Sequence, residues 1–174
     1  MRKKSIFYVG VGLIGLSMIA YLFAPRSNAN LSKKLNQVPA QQFSVPFKKE
    51  GTLTFYEQTT VQAIKTIDLE IADSEQRITQ GLMYRPNMPD TEGMLFIFPD
   101  MAPRSFWMRN TLVSLDIIFV DDLNRIVSIQ EKTTPKSEQS LPSGKPAKYV
   151  VEVIGGFCEK YGVEVGDQIS YSRF

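Results

Sequence analysis

Two carboxylates that lie inside apolar strands are the residues of this sequence best suited to chemistry. Asp116 lies in the apolar run 115–120, and Glu152 lies in the valine-rich run 149–154. An unpaired carboxylate in such surroundings costs several kcal/mol, so each needs a partner or an opening to solvent. Two carboxylates are also the minimum for acid/base hydrolysis of a glycosidic bond, or for binding a cation through oxygen atoms.

Two arginines are the expected partners of Asp116. Arg85 and Arg109 could each grip the carboxylate through two parallel hydrogen bonds. Such a pair is either structural, holding a loop to the sheet, or it lines a pocket. Sequence alone leaves both interpretations open.

An aromatic residue beside these groups could form the wall of a binding site. Strand alternation places Trp107, the only tryptophan, on the same face as Arg109. Trp107 is then either part of the core or a flat surface for a sugar or other planar ligand, with Arg109 and Asn110 beside it. The candidate ligand-binding residues are therefore Arg85, Trp107, Arg109, Asn110, Asp116 and Glu152.

Composition excludes several common chemistries. The 174 residues include no histidine, which removes Ser–His and Cys–His pairs and His-ligated zinc. Cys158, the single cysteine, is expected to be a small buried hydrophobe. Residues 59–174 carry 12 basic and 16 acidic residues, which disfavours nucleic acid as a partner. We expect no catalytic residue, no metal and no cofactor.

The amino terminus has the features of an export segment. Arg2, Lys3 and Lys4 precede an uncharged run, residues 6–24, whose length lies between those of a signal peptide and a membrane span. Either an anchor in the inner membrane or cleavage near Ala29 would leave the rest of the chain periplasmic or otherwise extracytoplasmic.

The elements that position the candidates are short strands. Alternation over residues 67–71 predicts a strand, which is followed by a helix capped by Asp73. Pro and Gly divide the remainder into short apolar runs, with a loop predicted at 131–146. Six to eight strands and one or two short helices predict a mainly β fold, a small antiparallel sandwich or barrel. We expect an export signal or anchor over 1–29, a linker over 30–58, part of which could form an edge strand, and a β domain over 59–174.

Several ordered motifs carry a family resemblance over about residues 60–172. They are Gly-Leu-Met-Tyr-Arg (81–85), Gly-Met-Leu-Phe (93–96), Phe-Trp-Met-Arg-Asn-Thr (106–111), Leu-Asp-Ile-Ile-Phe-Val (115–120), Tyr-Val-Val-Glu (149–152) and Gly-Val-Glu-Val-Gly-Asp (162–167). Together they resemble the domain of unknown function 192 family. The resemblance implies a mainly β sandwich similar to a jelly roll, frequently behind an export signal in bacteria, and implies no activity. Ser114 stands where the family usually has proline.

Three functions remain open at this point. The leading hypothesis is a non-catalytic exported β domain that binds a small polar ligand or an envelope partner through the six candidate residues. A second is a hydrolase of envelope glycans, which requires Asp116 and Glu152 within about 10 Å across an open cleft. A third is an envelope assembly module anchored at the membrane through residues 6–24.

Overall fold

One seven-stranded sheet curls into a half-barrel and carries two short helices in the computed structural model, which describes residues 45–174. The elements are β1 (Gly51–Tyr56), β2 (Ala63–Ala72), α1 (Glu75–Gln80), β3 (Glu92–Phe106), β4 (Leu115–Val120), β5 (Ile126–Gln130), β6 (Leu141–Ile154), α2 (Phe157–Tyr161) and β7 (Gln168–Arg173). The predicted export segment, its cleavage position and most of the predicted linker lie outside the described residues. None of the helices within residues 45–174 is long and apolar enough to cross a membrane.

The strands follow the order β5-β4-β6-β3-β2-β1-β7. The predicted mainly β class with one or two short helices is confirmed, and the helices are two. The sheet is not purely antiparallel, because β2 and β3 pair in parallel. Between them the chain runs through α1 and residues 81–91, so β3 enters the sheet in the same direction as β2.

Both faces of the sheet are covered, and each has its own core. One face holds the largest cluster of fully buried side chains, with α2 packed on it through Phe157 and Cys158. The other face is covered by residues around α1, Leu82 and Met108. Successive residues of a strand point to opposite faces of the sheet. The residues of β4 therefore alternate between the two cores.

The β domain begins earlier than residue 59. Strand β1 lies within the predicted linker, and its Leu53 and Phe55 are fully buried. It lies between β2 and β7, so it is an interior strand rather than the edge strand considered from sequence. Only two of its side chains, those of Leu53 and Phe55, point inward, and this pattern is too short to separate the strand from the linker.

Two proline-containing stretches, one of them in the predicted loop 131–146, belong to long strands. β3 continues through the Pro99–Pro103 stretch, and β6 begins at Leu141, inside the predicted loop 131–146. Pro103 of β3 lies opposite Pro146 of β6. Proline is tolerated here because β2 pairs with β3 only as far as Phe96, which leaves the other edge of this part of β3 free.

The first helix ends and begins at small residues. Its cap is Ser74, whose Oγ accepts the backbone N–H of Arg77 at 3.4 Å, and not the predicted Asp73. Gly81 ends α1 with φ near 47°, and its N–H donates to the Arg77 carbonyl at 2.9 Å. A side chain at this φ would be strained, so Gly81 fits the sharp exit from the helix.

Candidate functional site

Asp116 has a structural role. It is fully buried, and its carboxylate accepts the backbone N–H groups of Lys132 at 2.7 Å, Gly156 at 3.0 Å and Cys158 at 2.9 Å. These bonds join β4 to the segment after β5 and to the start of α2. The predicted pairing of Asp116 with Arg85 or Arg109 is therefore wrong, because backbone groups satisfy this carboxylate.

The two buried acids lie on opposite faces of the sheet. Asp116 pairs in register with Val153, whereas Glu152 pairs with Ile117 on the neighbouring rung. Paired residues share a face and successive residues alternate, so the two carboxylates point away from each other. Asp116 is fully buried and Glu152 is 5% exposed. The open cleft required for a hydrolase using these two groups is absent from this part of the molecule.

Glu152 instead shares its face with a second acid on a row across the sheet. Glu70, Met94, Glu152 and Ile117 are register partners on β2, β3, β6 and β4. Alternation in β2 would place Glu70 in solvent, but it is buried, because this face is covered as well. Glu70 is not among the predicted site residues, because an alternating pattern with a period of two does not reveal that both faces of the sheet are packed.

Glu70, and not Asp116, is the partner of Arg85. The guanidinium Nη2 donates to Glu70 Oε2 in a buried ion pair, and Glu70 Oε1 accepts the Lys48 backbone N–H at 2.6 Å. Arg85 Nε has no hydrogen-bond partner within the described residues. The charge of Arg85 is therefore largely balanced by Glu70, which leaves Glu152 with a nearby but already paired cation.

Burial dominates the electrostatics of Glu152. Loss of solvent raises the pKa of its carboxyl from 4.5 to about 8, although the Arg85 charge acts in the opposite direction. Its Oε2 has no hydrogen-bond partner among residues 45–174. At neutral pH the group is mainly a neutral carboxylic acid, which can donate as well as accept a hydrogen bond.

The turn after α1 brings backbone close to this acid. A Cβ atom added to Gly81 would lie 3.8 Å from Glu152 Oε2 and 3.4 Å from the Phe96 ring. The turn is held by Asn110, whose carbonyl accepts the Tyr84 N–H at 2.9 Å. Asn110 and Tyr84 both have positive φ, 56° and 63°. Asn110 thus positions the turn, with its amide directed at Met83 Sδ at 4.0 Å.

A small cavity lies between this turn and the sheet. Its volume is about 30 Å³, and Glu152 forms part of its wall. The other lining residues come from α1 and the following turn, from β3 and its end, and from the loop before β4: Ile78, Thr79, Gln80, Gly81, Leu82, Met83, Phe96, Phe106, Trp107 and Thr111.

The cavity continues outward into a larger groove between α1 and the end of β3. The groove has a volume of about 530 Å³ and shares Ile78, Thr79, Phe106 and Trp107 with the cavity. Its remaining lining residues are Phe98, Pro103, Arg104, Ser105, Glu138 and Ser140. We call this surface the Trp107 groove; its inner end is the Glu152 cavity.

Trp107 is a wall residue and not part of the core. It is 48% exposed, whereas its neighbour Phe106 packs edge-on against Phe96, with ring centroids 5.1 Å apart. The Arg109 guanidinium stacks over the Trp107 ring at 5.6 Å and lies 3.7 Å from Glu138. Trp107 and Arg109 thus lie together on the solvent side of the site, but strand alternation is not the reason, because β3 ends at Phe106.

The structure thus brings together part of the predicted set. Trp107 and Glu152 line the same cavity, Arg109 stacks on Trp107, and Arg85 and Asn110 support the turn. Asp116 lies on the other face. The residues that sequence missed are Glu70, Phe106 and Gly81, of which only Gly81 gave a signal, as a helix stop.

No other chemistry is evident among the described residues. Residues 45–174 contain no group of three or more His, Cys, Asp or Glu able to hold a metal ion. The Cys158 thiol is buried next to Asp116, and burial raises the pKa of this thiol far above its ordinary value. A thiol in that position is a poor nucleophile, because the thiolate is the reactive form.

Fold and site together define a small β domain built on one curled sheet, with a groove over one face that ends at a buried carboxyl. The sequence also places the chain in a family. Residues 56–171 match the DUF192 family, described as Uncharacterized ACR, and the chain belongs to this family. The predicted resemblance is confirmed.

Named relatives come from archaea. The chain is 30% identical over 105 residues to a UPF0127 protein of Thermococcus sibiricus, a match that covers 59% of this chain and 65% of the relative. It is 28% identical over 112 residues to a UPF0127 protein of Pyrococcus furiosus, with 62% and 89% covered. These names specify no reaction or ligand.

Two crystal structures share the fold. A Sinorhizobium meliloti 1021 protein, provisionally described as a transcription regulator, matches with a TM-score of 0.67 and 32% identity over 74% of this chain and 97% of its own. A Novosphingobium aromaticivorans protein of unknown function matches with a TM-score of 0.62 and 36% identity, over 68% and 83%. Both support the curled-sheet architecture.

Proposed function

We propose that this protein is an exported, non-catalytic binding domain whose Trp107 groove takes a small polar ligand with an apolar face. One observation carries the proposal: the buried Glu152, whose Oε2 has no hydrogen-bond partner among residues 45–174, lines a cavity that shares Trp107 and three further wall residues with the groove. Buried polar atoms without partners are rare in folded proteins and are typical of functional sites or sites of bound water.

The composition of the groove supports a ligand of mixed character. Apolar side chains of Ile78, Phe98 and Phe106 supply contact area, while Ser105 and Ser140 lie at the rim. Such a combination of apolar walls with a few polar groups is typical of small-molecule sites. The acidic balance of residues 59–174 argues against nucleic acid, so we do not extend the regulator description of the Sinorhizobium protein to this chain.

Binding is testable with a fragment library screened by thermal shift and followed by calorimetry on the full-length chain. Trp107→Ala is expected to weaken the hits about tenfold and to change Tm little, because this side chain is half exposed. Leu123→Ala removes another exposed apolar side chain, on the turn between β4 and β5, and should leave the hits unchanged. The proposal fails if no fragment binds, or if Trp107→Ala binds the hits as well as wild type.

Export is a separate part of the proposal and rests on the basic residues 2–4 and the uncharged run 6–24. Alkaline phosphatase fused after residue 44 is expected to be active in bacteria, since it folds to an active form only outside the cytoplasm. Deletion of residues 1–29 from this fusion should abolish the activity. Equal activity of the two fusions would contradict export.

An envelope protein is the other occupant that sequence analysis left open, and it stays a prediction. It would cover the exposed Trp107–Arg109 stack, and its binding would require a far larger contact area than the groove offers. Co-purification with the full-length chain that is lost in Arg109→Ala but kept in Glu152→Met would favour it over a small molecule.

A further inference from the structure

The Glu152 cavity is sized for one small group. Its volume of about 30 Å³ exceeds the roughly 10–15 Å³ that one water molecule needs. Leu82, Phe96 and Phe106 form apolar parts of its lining, so a group that enters exchanges part of its contact with solvent for apolar contact. A group that carries several water molecules with it does not fit.

We propose that the Glu152 cavity binds the neutral hydroxyl group of an alcohol whose apolar ring lies in the Trp107 groove. This inference rests on the proposed function and names the chemical class of its ligand. Glu152 lines the cavity, and its Oε2 has no hydrogen-bond partner among residues 45–174. Gly81 also lines the cavity, and a Cβ atom added there would take up space 3.8 Å from that oxygen.

Charged head groups are disfavoured by the surroundings of the cavity. An ammonium group would require an ionised Glu152, and it would be placed near the Arg85 guanidinium. A carboxylate would lose its hydration without gaining a free cation, because Arg85 is paired with Glu70 through Nη2 and does not line the cavity. Desolvating a charge costs far more than desolvating a hydroxyl, whose hydrogen bond to Glu152 is made in the cavity.

A neutral acid at Glu152 suits a hydroxyl partner. Burial keeps this carboxyl protonated below about pH 8. The charge that acts on Glu152 is that of Arg85, which lowers the pKa of Glu152 and is itself paired with Glu70. Arg104 and Glu138 line the groove but not the cavity. The carboxylic acid can donate one hydrogen bond to a hydroxyl and accept one from it, so the pair needs no proton transfer.

The remainder of the ligand would occupy the groove. Its volume of about 530 Å³ lies within the range of small-molecule sites, roughly 300–1,000 Å³. Trp107 offers the flat aromatic surface against which a ring can stack. A single aromatic ring with a one-carbon linker to a hydroxyl is therefore the simplest probe of both parts at once.

Four probes that each contain one benzene ring separate the contribution of the ring from that of the attached group. They are benzyl alcohol, benzylamine, benzoate and toluene. Emission of Trp107 reports on the groove without a label, because this is the only tryptophan of the full-length chain. At pH 6 we expect benzyl alcohol to bind at least tenfold more tightly than each of the other three. Benzoate or benzylamine binding as tightly as benzyl alcohol would overturn the inference.

Variants at Glu152 provide the second comparison. Glu152→Met should remove the preference for benzyl alcohol over toluene while retaining toluene binding, and Glu152→Gln, which keeps a donor and an acceptor, should retain most of the preference. If all four probes bind equally in wild type and in both variants, the Trp107 groove remains a ligand site, but the Glu152 cavity does not select a hydroxyl group. If no probe changes Trp107 emission in wild type, this inference fails, whereas the proposed function fails only if the fragment library also yields no ligand that depends on Trp107.

Discussion

Replacing Glu152 with glutamine should change how stability depends on pH. The folded chain retains the Glu152 proton up to about pH 8, whereas the unfolded chain releases it near the ordinary value of 4.5. Between these values the unfolded state binds fewer protons, so the free energy of unfolding falls as pH rises. Glutamine has a similar shape and no proton to release, so it removes this loss.

The size of the effect follows from the two pKa values. One pH unit between them corresponds to 1.36 kcal/mol, so the loss reaches about 3 kcal/mol at pH 7 and about 5 kcal/mol above pH 8. These are upper bounds, because some relaxation around an ionised Glu152 would reduce them. Even half of this is a large fraction of the stability of a typical domain, about 5–15 kcal/mol.

Urea unfolding of wild type and Glu152→Gln in steps from pH 4.5 to 8.5 measures this directly. The two proteins should have similar stability at pH 4.5, and the variant should become more stable by several kcal/mol at pH 8.5. Other titrating groups contribute equally to both curves and cancel in the difference. A difference in stability that does not change with pH would refute the assignment of Glu152 as a buried neutral acid.

Three further perturbations test the structural roles. Asp116→Ala should cost about 3 kcal/mol or more in urea unfolding, because it leaves three backbone N–H groups unpaired, yet should not alter probe affinity of the folded protein. Glu70→Ala should cost about 3–5 kcal/mol, because it leaves the Arg85 charge buried and unpaired. A chain that begins at residue 59 should fail to fold, as judged by circular dichroism, whereas one that begins at residue 45 should fold, because β1 supplies fully buried side chains.

Each of these has a matched control. Asp122 is an exposed acid near the end of β4, and Asp122→Ala should change stability by less than about 0.5 kcal/mol. Glu70→Ala combined with Arg85→Met should recover part of the loss, since it removes the unpaired charge. Loss of probe binding in Asp116→Ala at full folding would contradict the placement of this acid on the opposite face.

The strand pattern explains which parts of the fold could be predicted. Apolar runs such as 115–120 and 149–154 are buried on both faces and read clearly as strands. The β3–β6 pairing through Pro103 and Pro146 could not be predicted, because proline usually marks a loop and only the free edge of β3 permits it. The parallel β2–β3 pair depends on how residues 73–91 cross one face, which local sequence does not specify.

The sequence predicts several residues of the candidate site but not which of them contact one another. Asp116 and Glu152 are both correct as buried acids, but only the strand register reveals that they face opposite cores. Arg85 was assigned the wrong acid, since Glu70 lies in an alternating pattern typical of a solvent-facing residue. From the sequence, Trp107 could belong to the core or to the wall of a site. It lies directly after β3 and its side chain is half exposed, so it is a wall residue.

The most direct test of the Trp107 groove as a ligand site is a titration of the ¹⁵N-labelled full-length chain with benzyl alcohol, followed by NMR. Saturable shifts are expected for the Trp107 indole N–H and for the backbone amides of Gly81 and Phe106. The Cys158 amide, which donates to Asp116 on the opposite face, should not move. Shifts confined to the Cys158 face, or none at the Trp107 indole, would contradict the account.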